Sequence, residues 1–440
     1  MSYLTGILTL LLMAAPAGAS WKAGLGKVVI TPREPIMMGG YASRDHPSEG
    51  VRQDLHAKAL ALEDESGRRV VIVTLDLSGI PKDVADPIVE QAASAYGLRR
   101  DQLMLNASHT HSGPVAGYRP RNFYHLTPQQ AVVVKRYTDQ LVGHVVSVIG
   151  AALKDLAPAN LSFEMGYAGF AVNRRRVGRR NLPQPVDHDV LVLSVRDLSG
   201  KLRGVIFGYA CHATVLNDYQ INGDWPGYAQ ADLEKTHPGA VALFVAGCGA
   251  DQNPLPRRSV ELAETYGRII SIAVSQVLSD KMKPIDPELK TAFQTVDILF
   301  DTPPSREQWR KLAQSSDRAV AAHARLMLDQ LDRNGKLRTS YPYPVQLLRM
   351  GGVFTLVALG GEVVVDYSLR LRAAYGWDNT WIASYSNDVF AYIPSLRVWK
   401  EGGYEAGDSM NYSDFPGRFS PQVEEIIVAK VDDMMRRISK

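Results

Sequence analysis

Five apolar runs rich in β-branched residues limit what this chain can fold into. They are RVVIVTLDLSG (69–79), QLMLNASHT (102–110), VLVLSVRD (190–197), VIFGYACHA (205–213) and VALFVAGCG (241–249). A half-buried strand alternates apolar with polar residues, whereas these runs stay apolar on both sides. They predict strands covered on both faces. PKDVADPIVEQAASAYG (81–97) has helical spacing and ends on Gly97, so residues 69–109 read as a βαβ unit. EQWRKLAQSSDRAVAAHARLMLDQL (307–331) reads as one long amphipathic helix, and VEEIIVAKVDDMMRRI (423–438) as a closing helix. PVQLLRM followed by GGVFTLVAL reads as a hairpin turning at Met350-Gly351-Gly352. The expected fold is α/β: mixed sheets flanked by helices, forming a single large domain over residues 20–440. Its functional site is expected at strand ends, where loops sit on a rigid scaffold.

The formal net charge of +3 excludes a dedicated nucleic-acid binder, which needs a strong basic excess. At the N-terminus, Leu4 to Ala15 form an apolar run too short to span a bilayer. Ala17-Gly18-Ala19 follows as an A-x-A cleavage pattern, so residues 1–19 read as a signal peptide. The mature protein is then expected in the periplasm or outside the cell. Export permits a disulfide between Cys211 and Cys248; two buried thiols are the other reading.

Polar residues gather just after the strands. His109 and His111 point the same way if the strand continues through Thr110, and H-x-H offers imidazole nitrogens to a metal. Inert, hydrogen-bonded loop histidines are the alternative. His212 ends another apolar run. Asp224, downstream of it, reads either as a carboxylate orienting a ligand histidine or as a helix-cap or turn residue. In AGCGADQNP, Gly247 and Gly249 allow close backbone approach. Asp251 then reads as a general base, a holder of metal-bound water, or an Asx-turn. Glu362, after a strand and a Gly-Gly turn, is a suitable hard ligand for zinc. Tyr392 and Tyr404 read as aromatic lining of a core or cleft. Arg174 to Arg180 read as a solvated loop, or as a recogniser of a carbonyl, an acid or a phosphate. A G-x-S-x-G nucleophile elbow is absent from the sequence.

Taken in order, N-A-S-H-T-H-S-G-P, C-H-A-T, G-D-x-x-G-Y-A, P-V-Q-x-L-R, G-G-E, S-N-D-x-x-x-Y and Y-E resemble the neutral/alkaline (non-lysosomal) ceramidases over residues 22–415. The resemblance implies a zinc amidohydrolase that cleaves N-acylsphingosine to sphingosine and fatty acid. It assigns His109, His212, Glu362 and Tyr392 to the zinc. His111 matches a histidine on the substrate side. Arg174, in the pair Asn173-Arg174, matches an active-site arginine, and Tyr404 matches a tyrosine that stabilises the oxyanion. Asp251 stands where the family's G-D-V-S-P-N carries a catalytic serine. The sequence also ends near residue 440, as in shorter bacterial relatives without the C-terminal β-sandwich domain. Tyr404, His111 and Arg174 are the expected oxyanion donors, each of a kind worth about 2.7–4 kcal/mol. His111 or Asp251 is expected to shuttle the proton to the leaving amine. The expected partner is a small-molecule or lipid substrate, with contact to a membrane surface. The changed serine leaves two alternatives: a more polar amide, ester or lactone as substrate, or a non-catalytic homologue that holds metal or lipid.

Overall fold

The computed structural model describes residues 20–118, 124, 126–178, 182 and 184–438. The apolar leader (1–19) and Arg179 and Arg180 lie outside the described residues. One sheet comprises Trp21–Val29 (β1), His56–Glu63 (β2), Arg69–Leu75 (β3), Leu103–Ala107 (β4), Ala157–Tyr167 (β5), Asp189–Asp197 (β6), Leu202–Tyr209 (β7), Val241–Ala246 (β8) and Lys283–Ile285 (β9). Its order is β8-β7-β6-β5-β1-β2-β3-β4, with β9 beside β5. A second sheet runs Leu289–Leu299 (β10), Ser340–Met350 (β11), Phe354–Leu359 (β12) and Thr380–Ala383 (β14). Glu362–Val363 (β13) and Tyr392–Ile393 (β15) pair separately, in parallel. The helices are Lys82–Tyr96 (α1), Pro128–Lys154 (α2), Asp224–Thr236 (α3), Val260–Ser279 (α4), Arg306–Leu312 (α5), Arg318–Asn334 (α6), Val365–Tyr375 (α7), Leu396–Glu401 (α8) and Val423–Ile438 (α9).

The continuous apolar runs follow from four stacked layers. Val71, Val73 and Leu105 on one face of the first sheet meet Ile88, Val145 and Ile270 of the helices. Val70, Ile72 and Met104 on its other face meet Leu348, Leu356 and Trp381 of the second sheet. The far side of the second sheet, through Leu347 and Val357, packs on Leu371 of α7 and Ile427 and Val431 of α9. The result is an α/β arrangement with both sheets buried between helical layers, as the sequence pattern requires. The βαβ unit forms as expected: β3 and β4 pair in parallel across α1, which ends on left-handed Gly97. The hairpin also forms, with Met350 opposite Phe354 and positive φ at Gly351 and Gly352.

The single helix expected over 307–331 is two helices. Ser305 caps α5, and Asp317 caps α6 by accepting from the N–H groups of Ala319 and Val320. The Ser-Ser-Asp stretch supplies a new helix start in the middle of an unbroken amphipathic pattern. Among the described residues, no helix is long and apolar enough to cross a membrane. Cys211 and Cys248 are both buried free thiols, which settles the disulfide alternative.

The two edge strands of the first sheet approach each other. Asn106 at the end of β4 accepts from the Ala246 N–H of β8 at 2.9 Å and donates to the Ser384 carbonyl at 2.7 Å. Beyond the strand ends, Thr110 and Ala213 form a parallel bridge. This closure brings the residues after β4 and β7 together.

Candidate metal centre and active-site cavity

Strand β4 stops at Ala107, and His109 takes φ 60°. The expectation of two histidines on one side of an extended strand is therefore corrected. A left-handed residue intervenes, an uncommon state for a non-glycine that the surroundings must enforce. The His111 N–H donates to the Ala213 carbonyl at 3.1 Å, which fixes the second histidine. The kink turns both rings inward, with His111 Nε2 3.1 Å from His109 Nε2. His212 follows β7. Its Nδ1–H donates to the Gly249 carbonyl at 2.7 Å, and the His109 Nδ1–H donates to the Ser78 carbonyl. Such carbonyl partners set the tautomer and leave Nε2 as a lone pair. Asp224 is not the orienter; it accepts from the N–H groups of Val215, Leu216 and Trp225 and closes the turn into α3.

The short β13–β15 ladder sets Glu362 beside Tyr392. Glu362 Oε2 lies 3.2 Å from His109 Nε2 and 3.6 Å from His212 Nε2. The Tyr392 hydroxyl is 3.4 Å from His212 Nε2. Glu362 Oε2 is buried without a hydrogen-bond donor. Two imidazole Nε2 atoms and a carboxylate oxygen thus face one another, a donor set that fits a cation such as zinc. The nitrogens of His109, His111 and His212 also lie within 4.8 Å of one another, so His111 is close enough to join the group. Burial, then Arg174 nearby, push the His212 pKa down to about 4, and burial with His109 and His212 holds His111 well below the usual histidine range. Burial would raise Glu362, but His109 and His212 outweigh it and hold the carboxyl well down. His111 and His212 are then neutral near pH 7, the state a metal requires of an imidazole.

His109, His111, Glu362 and Tyr392 line a cavity of ≈ 730 Å³, together with Arg174, Tyr404 and Glu405. The family model "Neutral/alkaline non-lysosomal ceramidase, N-terminal" matches residues 21–253. The chain belongs to this ceramidase family. The neutral ceramidase of Pseudomonas aeruginosa is 30% identical over 265 residues, 56% of this chain and 39% of that protein. Neutral ceramidase A of Dictyostelium discoideum is 28% identical over 251 residues, 52% of this chain and 35% of that protein. The chain thus matches little more than a third of the length of these curated relatives. The crystal structure of the Pseudomonas aeruginosa neutral ceramidase superimposes with TM-score 0.75 at 21% identity, covering 96% of this chain and 74% of that one. That likeness establishes a common fold.

The family match contains His109, His111, Arg174, His212 and Asp251; Glu362, Tyr392 and Tyr404 lie beyond it. These three come from the β13–β15 ladder and the loop after α8. Arg174 donates from Nε to Glu405 at 2.6 Å and from Nη2 to the Tyr392 hydroxyl at 3.3 Å. Its guanidinium carbon lies 5.8 Å from the centre of the Tyr404 ring. Burial would lower the Arg174 pKa, but Tyr392 and Glu405 raise it above the usual value. Arg175 bonds Glu405 and Glu401, and Arg176 bonds Glu401 at 2.6 Å. The solvated-loop reading is thus corrected for Arg174 to Arg176, which clamp the segment carrying Tyr404.

Asp251 is fully buried and its carboxylate is occupied: Oδ1 accepts from the Val365 N–H at 2.9 Å and Oδ2 from Asn173 Nδ2 at 2.9 Å. Its carbonyl accepts from the Arg174 N–H. Asp251, expected to shuttle a proton, joins the Arg174 loop to the start of α7 through these bonds. Sequence reasoning gave no role to Glu405, although it stands in the Y-E motif, and missed Glu401 and Tyr385. The glutamates stand near Tyr404 and offer opposite charge to the arginine run, a signal the sequence does contain. Tyr385 stacks on His109 with centroids 4.4 Å apart and takes φ 52°, which no residue pattern announces.

Proposed function

We propose that this chain is a metal-dependent hydrolase of the linear amide in N-acylated lipids of the N-acylsphingosine type. Four donors would hold one zinc ion: His109, His212, Glu362 and Tyr392. The observation that carries the reading is Glu362 Oε2, buried without a donor and facing two inward-turned Nε2 atoms. Zinc bound there supplies Lewis acidity and lowers the pKa of water for attack on a carbonyl.

The surrounding residues do the rest. Tyr404 is 43% exposed and lines the cavity, and burial, then Glu362, push its pKa up to about 12. It therefore stays protonated at neutral pH and donates to an oxyanion. Arg174, held by Glu405, adds fixed positive charge beside it. Neutral His111 accepts a proton and passes it to the leaving amine. The leader (1–19) directs export, which N-terminal sequencing of the mature protein checks.

The test separates metal binding from turnover. Purified protein should contain about one zinc per chain. His109→Ala and Glu362→Ala should lose both zinc and hydrolysis of labelled ceramide and short N-acyl amides. His111→Ala should keep the zinc and lose hydrolysis by about 10²–10⁴-fold. Zinc-free active protein sinks the proposal. Loss of zinc in His111→Ala would instead move that histidine into the ligand set.

A further inference from the structure

Besides the arginines already described, the cavity wall carries two more, in different circumstances. Arg174 is ion-paired with Glu405, and Arg175 with Glu405 and Glu401. Arg257 and Arg258 also line the cavity. Among the described residues, neither has a carboxylate oxygen within the ion-pair distance of 4.0 Å. Arg258 Nη1 donates to the Tyr41 hydroxyl at 3.0 Å and to the Thr214 carbonyl at 3.4 Å. Arg257 reaches only the Thr214 hydroxyl, at 3.5 Å. Nearby, Arg44 is buried and is held by the carbonyls of Gly39, His111 and Asp218. The Tyr41 ring is flanked by Arg44 and Arg258, 5.0 Å and 5.4 Å from their guanidinium carbons.

Three guanidinium groups thus gather around one phenol without a carboxylate in ion-pair contact. Like charges set side by side are unfavourable, and partial burial of Arg257, then Arg258 beside it, lower the Arg257 pKa. Arg258 is also kept at φ 94°, anchored by its N–H on the carbonyl of Val215, three residues past His212. Backbone strain of this kind persists where the surroundings enforce it and is common at ligand clamps. A guanidinium pair with unused N–H groups matches the two oxygens of a carboxylate or phosphate.

We infer that Arg257 and Arg258 anchor an anionic group of the substrate, so that the amide cleaved here belongs to an N-acyl compound bearing a carboxylate or a phosphate. This rests on the amide-hydrolase reading and departs from its N-acylsphingosine substrate, which carries no such anion. A neutral N-acyl lipid would leave the arginine pair without an anionic partner in ion-pair contact.

Three matched probes test it: lauroyl glycine, lauroyl phosphoethanolamine and neutral lauroyl ethanolamide. Calorimetry on the full chain after chelation measures binding without hydrolysis and without anion–metal contact. At least one anionic probe should bind about tenfold or more tightly than the ethanolamide, and the arm that does so identifies the anion. In the zinc-loaded protein the same order should hold in kcat/KM. Arg257→Gln with Arg258→Gln should remove the preference, whereas Arg257→Lys with Arg258→Lys, a charge-preserving control for folding, should retain much of it. Equal binding of all three probes, or a preference that survives the glutamine pair, overturns the inference. Anion-selective binding with no turnover of any probe sinks the hydrolase reading but leaves the anchor standing. Turnover without anion preference does the reverse.

Discussion

Asp251 carries a carboxylate into a position with no solvent exposure. Burial, offset in part by the Val365 N–H, pushes its pKa up to about 6 from an ordinary 3.8. The sign follows from linkage: between about pH 4 and 6 the folded state binds more protons than the unfolded state. Stability from this group is therefore greatest in acid and declines as pH rises through that window, by up to roughly 3 kcal/mol. Asp251→Asn should flatten this decline. Denaturant titrations across the window check it, and parallel curves for the two proteins would refute it. At this scale the candidate site was only partly legible. His109, His212, Glu362 and Tyr392 were found through ordered motifs, and the structure brings their polar atoms together. The role of Asp251 was not legible, because residue type does not say whether a carboxylate faces a cavity or a backbone N–H. Nor was the left-handed turn at His109, since histidine has no sequence preference strong enough to announce it.

Among the elements, β7 shows how tightly the two sheets fit. A Cβ on Gly208 would stand 2.5 Å from the Trp381 ring of β14 and 2.9 Å from the Val245 carbonyl. Neither the buried ring nor the backbone can yield easily. Gly208→Ala should cost about 1–3 kcal/mol in urea unfolding, as overpacked cores do. A change below experimental error would mean the sheets can slide apart. The strands themselves were legible because burial on both faces writes long apolar runs. The break between α5 and α6 was not, because amphipathic spacing runs straight through Ser315, Ser316 and Asp317. Only the cap chemistry of Asp317 distinguishes two helices from one.

For the whole molecule, Asn106 is the stitch between opposite edges of the first sheet. It bonds Ala246, Ser384 and Ser386 through one fully buried amide. Asn106→Leu keeps the volume and removes all three bonds, leaving the Ala246 N–H buried without an acceptor. The expected loss is about 2–5 kcal/mol, with weaker zinc binding because His109 lies just beyond β4 and His212 just beyond β7, the neighbour of β8. Thermal unfolding with and without zinc measures both, and an unchanged zinc affinity would show that the edges meet without it. The four donors of the candidate centre come from separate elements: His109 and His212 follow strands of the first sheet, while Glu362 and Tyr392 pair in the β13–β15 ladder, whose strands follow β12 and β14 of the second. Neither sheet alone offers more than half the set. An ion held by this set would be a late guest, admitted only after the sheets have docked, and its removal should loosen their seam before it disturbs either sheet.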